Sequence, residues 1–135
     1  MALIAWSSKY SVGVRNLNDQ HKEVINLLNE LHAAMLKGQA QSVAGVLLPK
    51  IQRHAKEHFS TEERLMESTK FSGLAEHRAE HQALLARVDT CAARHKQGDG
   101  SVYLELLNFM RDWLTHHMQK VDQKYTAWFN EQGIR

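Results

Sequence analysis

Every long helical segment of this chain carries histidine on its apolar face. Core positions in a helical protein want apolar side chains, and a buried polar group costs free energy unless it is paired. Four such interruptions therefore constrain the fold more than any other feature. The segments are separated by Gly38, by Ser68-Thr69-Lys70-Phe71-Ser72-Gly73 and by Gly98-Asp99-Gly100-Ser101, and no stretch alternates at the strand period. A first helix is expected over about 18–37, with Leu17, His21, Val24, Ile25, Leu28, Leu31 and Met35 on one face, Asn18 capping its start and Gly38 ending it. A second is expected over about 41–67, with Leu47, Ile51, His54, His58, Glu62 and Leu65 in line; Pro49 either begins it or kinks it. A third runs over about 74–97 with His77, His81, Leu84, Leu85 and Val88 inward, leaving Cys91 off the stripe and inert. A fourth, unbroken, runs over about 102–130 with Leu106, Met110, Trp113, His117 and Val121 inward. Long helices with short connections imply antiparallel neighbours. The expected fold is all-α: one domain over 1–135, an up-down-up-down four-helix bundle, with residues 1–17 as an arm packed over it.

The rise of a helix, ~1.5 Å per residue, places the histidines in depth. His21 lies ~24 Å from the end of the first helix, His58 ~25 Å from the start of the second, His81 ~24 Å from the end of the third and His117 ~24 Å from the start of the fourth. In an antiparallel bundle those reference points share one end, so four helices bring ligands to one layer. Residues four apart share a face, so His58 with Glu62, and His77 with His81, can each address one point. His32 and His95 fall roughly 16 and 21 Å below the layer. His116 points away if His117 points in, and spacing alone does not choose between His54 and His58. Asp122 stands five residues after His117, about 140° round a regular helix. That offset suits a carboxylate approaching a pair of metals from the side better than a chelate of one metal.

Composition narrows the function. Seventeen basic against fifteen acidic residues, scattered without runs, give no basis for a nucleic-acid or anionic-membrane partner. No segment approaches the ~20 apolar residues of a membrane span. The start, Met1 to Trp6, lacks the features of a signal peptide, and the single Cys91 suits a reducing compartment, so a cytoplasmic location is expected.

The chain resembles the hemerythrin family in its single-domain bacterial form, bacteriohemerythrin. The resemblance covers nearly the whole chain. It is carried by Asn18-Asp19-Gln20-His21, His58-Phe59-Ser60-Thr61-Glu62-Glu63, His77-Arg78-Ala79-Glu80-His81 and Trp113-Leu114-Thr115-His116-His117-Met118 followed by Asp122, in that order. It implies His58 rather than His54 and His117 rather than His116. It also implies two iron ions joined by an oxo or hydroxo bridge, with His77, His81 and His117 on one, His21 and His58 on the other, and Glu62 and Asp122 spanning both.

For an octahedral pair, those donors leave one coordination position open, beside His21 and His58. The resemblance implies that dioxygen binds there reversibly, taking two electrons from the reduced pair, with Val24, Phe59, Trp113, Leu114 and Met118 around it. At helical spacing Trp113, Leu114 and Met118 also read as ordinary core, and the two roles are compatible. Zinc prefers four ligands in a tetrahedron, whereas mixed nitrogen and oxygen donors suit six-coordinate iron. Ferritin-like oxidases bring mainly carboxylates to the bundle core; a histidine-rich set stabilises high-valent iron less, which favours a carrier.

The expectation is therefore an oxygen-binding protein for transport, storage or scavenging, not an enzyme. It is expected as a monomer, with dioxygen and an oxygen-consuming protein as partners. The alternatives are a diiron enzyme acting on peroxide or nitric oxide, and an oxygen or redox sensor. A sensor is expected to carry a signalling domain, for which 135 residues leave no room.

Overall fold

The computed structural model describes residues 3–135, apart from the side chains of Lys120 and Val121, so the inward placement of Val121 lies outside the described residues. After a short 3₁₀ turn at Ser8–Tyr10 come α1 (Arg15–Leu36), α2 (Ala40–Ser68), α3 (Leu74–Lys96) and α4 (Val102–His116), then a π-helical turn (His117–Val121) and α5 (Gln123–Glu131). Helix α1 packs on α2, α2 on α3, α3 on α4, and α4 closes the ring on α1. The result is a four-helix bundle whose last pillar is α4 and α5 joined by the π turn.

Local chemistry explains the helix ends. At Gly38 the backbone turns left-handed (φ 70°), and the Gln39 N–H reaches the Ala34 carbonyl (2.8 Å) while the Gly38 N–H reaches that of Met35 (3.1 Å). This pair of bonds satisfies carbonyls that the helix leaves free. Helix α2 ends in the same way without a glycine. Lys70 takes the left-handed conformation (φ 59°), and Phe71 N–H bonds the Met66 carbonyl (2.8 Å). Phe71 then packs into the cluster that contains Met66, the apolar contact that accompanies this stop.

Three expectations are corrected, and the alternative left open at Pro49 is resolved. Helix α1 starts at Arg15, so Asn18 sits inside it rather than capping it; its side chain takes the Val12 N–H (2.9 Å) and donates to Ser11 Oγ (3.0 Å), tying down the arm. The fourth helix is not continuous but widens at His117–Val121. Cys91 is buried: the α3 interior runs His77, His81, Leu84, Val88, Cys91 in steps of four and three, and Leu85 lies only half inside. Helix α2 starts at Ala40 and passes through Pro49. Pro49 and Gly45, whose carbonyl loses its donor there, are both exposed, so water can serve that carbonyl.

The core is split in two. A large cluster includes Leu28, Leu31, Leu48, Ile51, Leu84, Val88, Leu106, Leu107 and Met110. A smaller one gathers Val12, Val14, Leu17, Met66, Tyr125 and Phe129. Each pillar crosses from one to the other through a polar step. On α1, Leu17 and Val24 flank His21; on α2, Phe59 and Met66 flank Glu62; on α3, Leu74 and Leu84 flank His77 and His81; on the last pillar, Leu114 and Tyr125 flank His117 and Asp122. No helix among the described residues is long and apolar enough to cross a membrane.

Candidate metal centre

His21, His58, Glu62, His77, His81, His117 and Asp122 are the buried polar side chains of the described residues, none more than 3% exposed. They lie together in the layer between the two clusters. The other histidines lie outside it. His54 pairs with Glu23 (3.0 Å) near the surface, His95 meets the Tyr103 hydroxyl (2.7 Å), His32 is half-buried and His116 is exposed.

The donor atoms fall into two groups. Glu62, His77, His81 and His117 can bring one atom each to within 4.8 Å of one another, and so can His21, His58 and Glu62. Glu62 belongs to both. Asp122 also faces both: Oδ1 lies 3.0 Å from His77 Nε2 and 2.8 Å from His117 Nε2, and Oδ2 lies 3.4 Å from His21 Nε2.

The π turn explains how Asp122 comes into register. Its N–H bonds the His117 carbonyl five residues back, at 2.7 Å. An i→i+5 bond is the signature of a π turn, which is often found at functional sites. Widening the backbone brings residues five apart onto one face. The 140° offset of a regular helix is thereby removed in the chain itself, not by a carboxylate reaching sideways.

The imidazoles are prepared as donors. His58 Nδ1–H donates to Gln20 Oε1 (2.8 Å), and Gln20 is in turn held by Thr61 Oγ1 (3.2 Å). His81 Nδ1–H donates to Glu63 Oε2 (3.0 Å), and His117 Nδ1 lies 3.1 Å from Glu80 Oε2. A proton held on Nδ1 leaves Nε2 with a free lone pair. The Nε2 atoms of His58, His81 and His117, both Glu62 oxygens and Asp122 Oδ2 are buried without a hydrogen-bond partner of good geometry. Six orphaned atoms gathered in one buried layer, lone pairs inward, fit a cation.

The electrostatics agree. Burial pushes His58 down to about 4 and lowers His21 and His81, keeping those rings neutral. Burial, and then the charge of Asp122, push Glu62 up to about 7. Burial would raise Asp122 too, but the imidazoles of His117, His21 and His77 beside it hold it well below the usual carboxylate range. Burial would lower His117, but the Asp122 carboxylate beside it raises it. Every ion-pair partner of Glu62 and Asp122 among the described residues is a histidine. Two carboxylates with no exposure and no lysine or arginine beside them need positive charge from elsewhere.

Apolar side chains surround the layer. Val24, Phe59, Leu114 and Met118 are buried in the large cluster, and Trp113 packs half-buried against it. Phe59 stacks on the His81 ring (centroids 3.9 Å, planes 6° apart) and Trp113 on that of His117 (4.2 Å, 13°). Sequence reasoning missed four contributors: Gln20, Glu63, Glu80 and Tyr125. The first three each stand next to a ligand candidate in sequence, which is the signal that could have found them. Tyr125 is fully buried, 5.5 Å ring to ring from His77, with no partner for its hydroxyl.

Comparison with known proteins places this arrangement. Residues 12–129 match the family model described as the hemerythrin HHE cation binding domain. The bacteriohemerythrin of Methylococcus capsulatus is 33% identical over 93% of this chain and 95% of its own length. The myohemerythrin of Riftia pachyptila is 29% identical over 89% of this chain and 88% of its own. A wild-type hemerythrin crystal structure superposes with a TM-score of 0.86 at 30% identity, covering 93% of this chain and 97% of that one. With a matching family model over most of its length, and a buried histidine–carboxylate layer of the kind a cation-binding domain requires, the chain belongs to the hemerythrin family.

Proposed function

We propose that the protein holds two iron ions and binds dioxygen reversibly, for transport, storage or scavenging. The observation that carries this reading is the sharing of Glu62 between two donor groups, with Asp122 facing both. His77, His81 and His117 would hold one iron, His21 and His58 the other, and the two carboxylates both. An oxo or hydroxo bridge would complete the pair. Six-coordinate metals with mixed nitrogen and oxygen donors suit iron, whereas zinc would not use so many ligands.

When bound, the pair supplies the electrons that make dioxygen a ligand. The protein does the rest. Gln20, Glu63 and Glu80 fix the tautomers and orient the rings. Phe59 and Trp113 hold the His81 and His117 rings from the side by stacking. The group with only two histidines has the smaller donor set, so the open position belongs beside His21 and His58. Val24, Phe59, Leu114, Met118 and Trp113 would line the approach and keep out the water and protons that would release bound oxygen in reduced form and leave the metal pair oxidised. Neutral imidazoles donate less charge than the carboxylates of ferritin-like oxidases, which favours release of oxygen over its activation.

The test is anaerobic reduction of the iron-loaded protein, exposure to air, and removal of oxygen under vacuum. A visible charge-transfer band should appear in air and vanish again over repeated cycles. Sustained consumption of peroxide or nitric oxide by the reduced protein, with no reversible band, would assign an enzyme instead. In the same assay Leu114→Asn should shorten the lifetime of the oxygenated form, and an unchanged lifetime would remove Leu114 from the lining.

A further inference from the structure

The polar side chains outside the ligands form an incomplete ring. Gln20 on α1 holds His58 on α2, Glu63 on α2 holds His81 on α3, and Glu80 on α3 faces His117 on the last pillar. Each helix thus supports a ligand candidate of the next one. At the closing seam between the last pillar and α1, the pattern stops: His21 Nδ1 is buried with no partner. The ring also changes in charge along its course. His81 and His117, in the group of three histidines, face carboxylates; His58, in the group of two, faces a neutral amide; His21 faces nothing.

A carboxylate accepting the Nδ1 proton raises the basicity of the opposite nitrogen, and such outer partners change metal affinity by ten- to a hundred-fold. An amide has the same geometry but not the charge. Arg78, 2.9 Å from Glu63, takes up part of the Glu63 charge, whereas the only ion pair of Glu80 among the described residues is the one to His117. Resting on the two-metal reading above, we infer that Gln20, Glu63 and Glu80 are positioning residues that make the two metal positions unequal. The position of His77, His81 and His117 fills first and holds metal more tightly; the position of His21 and His58 fills second.

The test is a chelator-competed titration of the metal-free protein with cobalt(II) under argon, followed by the visible bands of the bound ion. The wild-type chain should take up two equivalents in two resolved steps. The double variant Glu63→Gln, Glu80→Gln should weaken the first step ten- to a hundred-fold, with its band shifted, and leave the second near its wild-type value. Gln20→Glu should tighten the second step and leave the first unchanged, drawing the two together. Thermal unfolding of each metal-free variant, matched to wild type, separates this from damage to the fold; a variant that unfolds early is replaced by the single glutamine substitutions. The inference is overturned if the carboxylate variants weaken the second step rather than the first, or if Gln20→Glu tightens neither. Fewer than two equivalents in wild type would instead sink the two-metal reading, and this inference with it.

Discussion

Below the layer of candidate ligands, Leu28, Leu31, Ile51, Leu84 and Leu106 fill the space between the helices with hydrocarbon; about one to three turns above, the same helices fill it with His21, Glu62, His81 and His117. The first region is stable in itself, because its burial removes apolar surface from water. The second is not. Its carboxylates and imidazoles are as dry as the leucines, and orphaned lone pairs converge at its centre. On the two-metal reading, one bundle therefore holds a region that stabilises the fold unconditionally and a region that would stabilise it only when a cation completes it.

The largest effect that tests this contrast is metal removal. A ligand that binds only the folded state adds roughly 4 kcal/mol when present at a thousand times its Kd, and the two-metal reading supplies two such sites. Chelation should lower the unfolding temperature of the wild-type chain by more than a single core truncation does, while the far-ultraviolet circular dichroism stays helical. Leu28→Ala, in the fully buried lower core, should cost about 2–5 kcal/mol and still leave two metals bound per chain. If Leu28→Ala lost metal before it lost stability, or if chelation left the unfolding temperature unmoved, the two regions would not be separable in this way.

A subtler effect should reverse sign with metal. In the metal-free protein Glu62 is held up at about 7 from an ordinary 4.5, and His58 down at about 4 from 6.5, both chiefly by burial. A carboxyl group raised on folding penalises the folded state above its folded value, and the penalty fades as pH falls towards 4.5. A histidine lowered on folding acts the other way: stability is lost as pH falls from 6.5 towards 4, because only the unfolded chain takes the proton. The two trends oppose each other over most of that window. Glu62→Gln removes the first, so the metal-free variant should be more stable than wild type at pH 8. The two melting curves should converge near pH 4.5, and the variant should lose stability more steeply on the way down. With metal the order should invert, since the variant lacks the shared carboxylate. A metal-free variant less stable than wild type at pH 8 would mean that the Glu62 charge is already satisfied without a cation.

Most of this layout was legible in the sequence because two simple periods govern it. Helical periodicity sets which residues face inward, and rise per residue sets their depth, so His21, His58, His81 and His117 could be brought to one layer from arithmetic. The choice of His58 over His54 was not arithmetic; it depends on which face of α2 meets α1, where His54 turns out to Glu23. The π turn escaped because it adds width without disturbing the apolar pattern on either side, leaving only an awkward five-residue spacing as its trace. Glu63 and Glu80 escaped for a different reason. A glutamate beside a ligand reads as solvated surface until the neighbouring helix is in place, and only that neighbour's register brings an imidazole to it. Cys91 was misplaced because assigning Leu85 to the stripe shifted the α3 interior by one position.

The smallest effect concerns the arm, which joins the two regions from outside. Ile4 pairs through its backbone with the side chain of Asn29 (3.0 and 2.9 Å) beside the lower core, while Ser11 and Val12 are held at the ligand end by Gln123 (2.7 Å), Thr126 (2.8 Å) and Asn18. Gln123 and Thr126 follow the π turn directly, so the arm braces the segment that carries Asp122. Thr126→Val removes one such bond, for a cost of about 1 kcal/mol, a shift of only a few degrees in unfolding temperature. Its consequence should be local. Amide exchange should quicken in the arm around Val12 and in the turn at His117–Asp122, but not at Leu28 or Leu106. Asn29→Ala, at the other anchor, should loosen Ile4 and leave the turn protected. If both variants loosened the turn equally, the arm would be a single strap, and the ligand end would not be braced independently of the core.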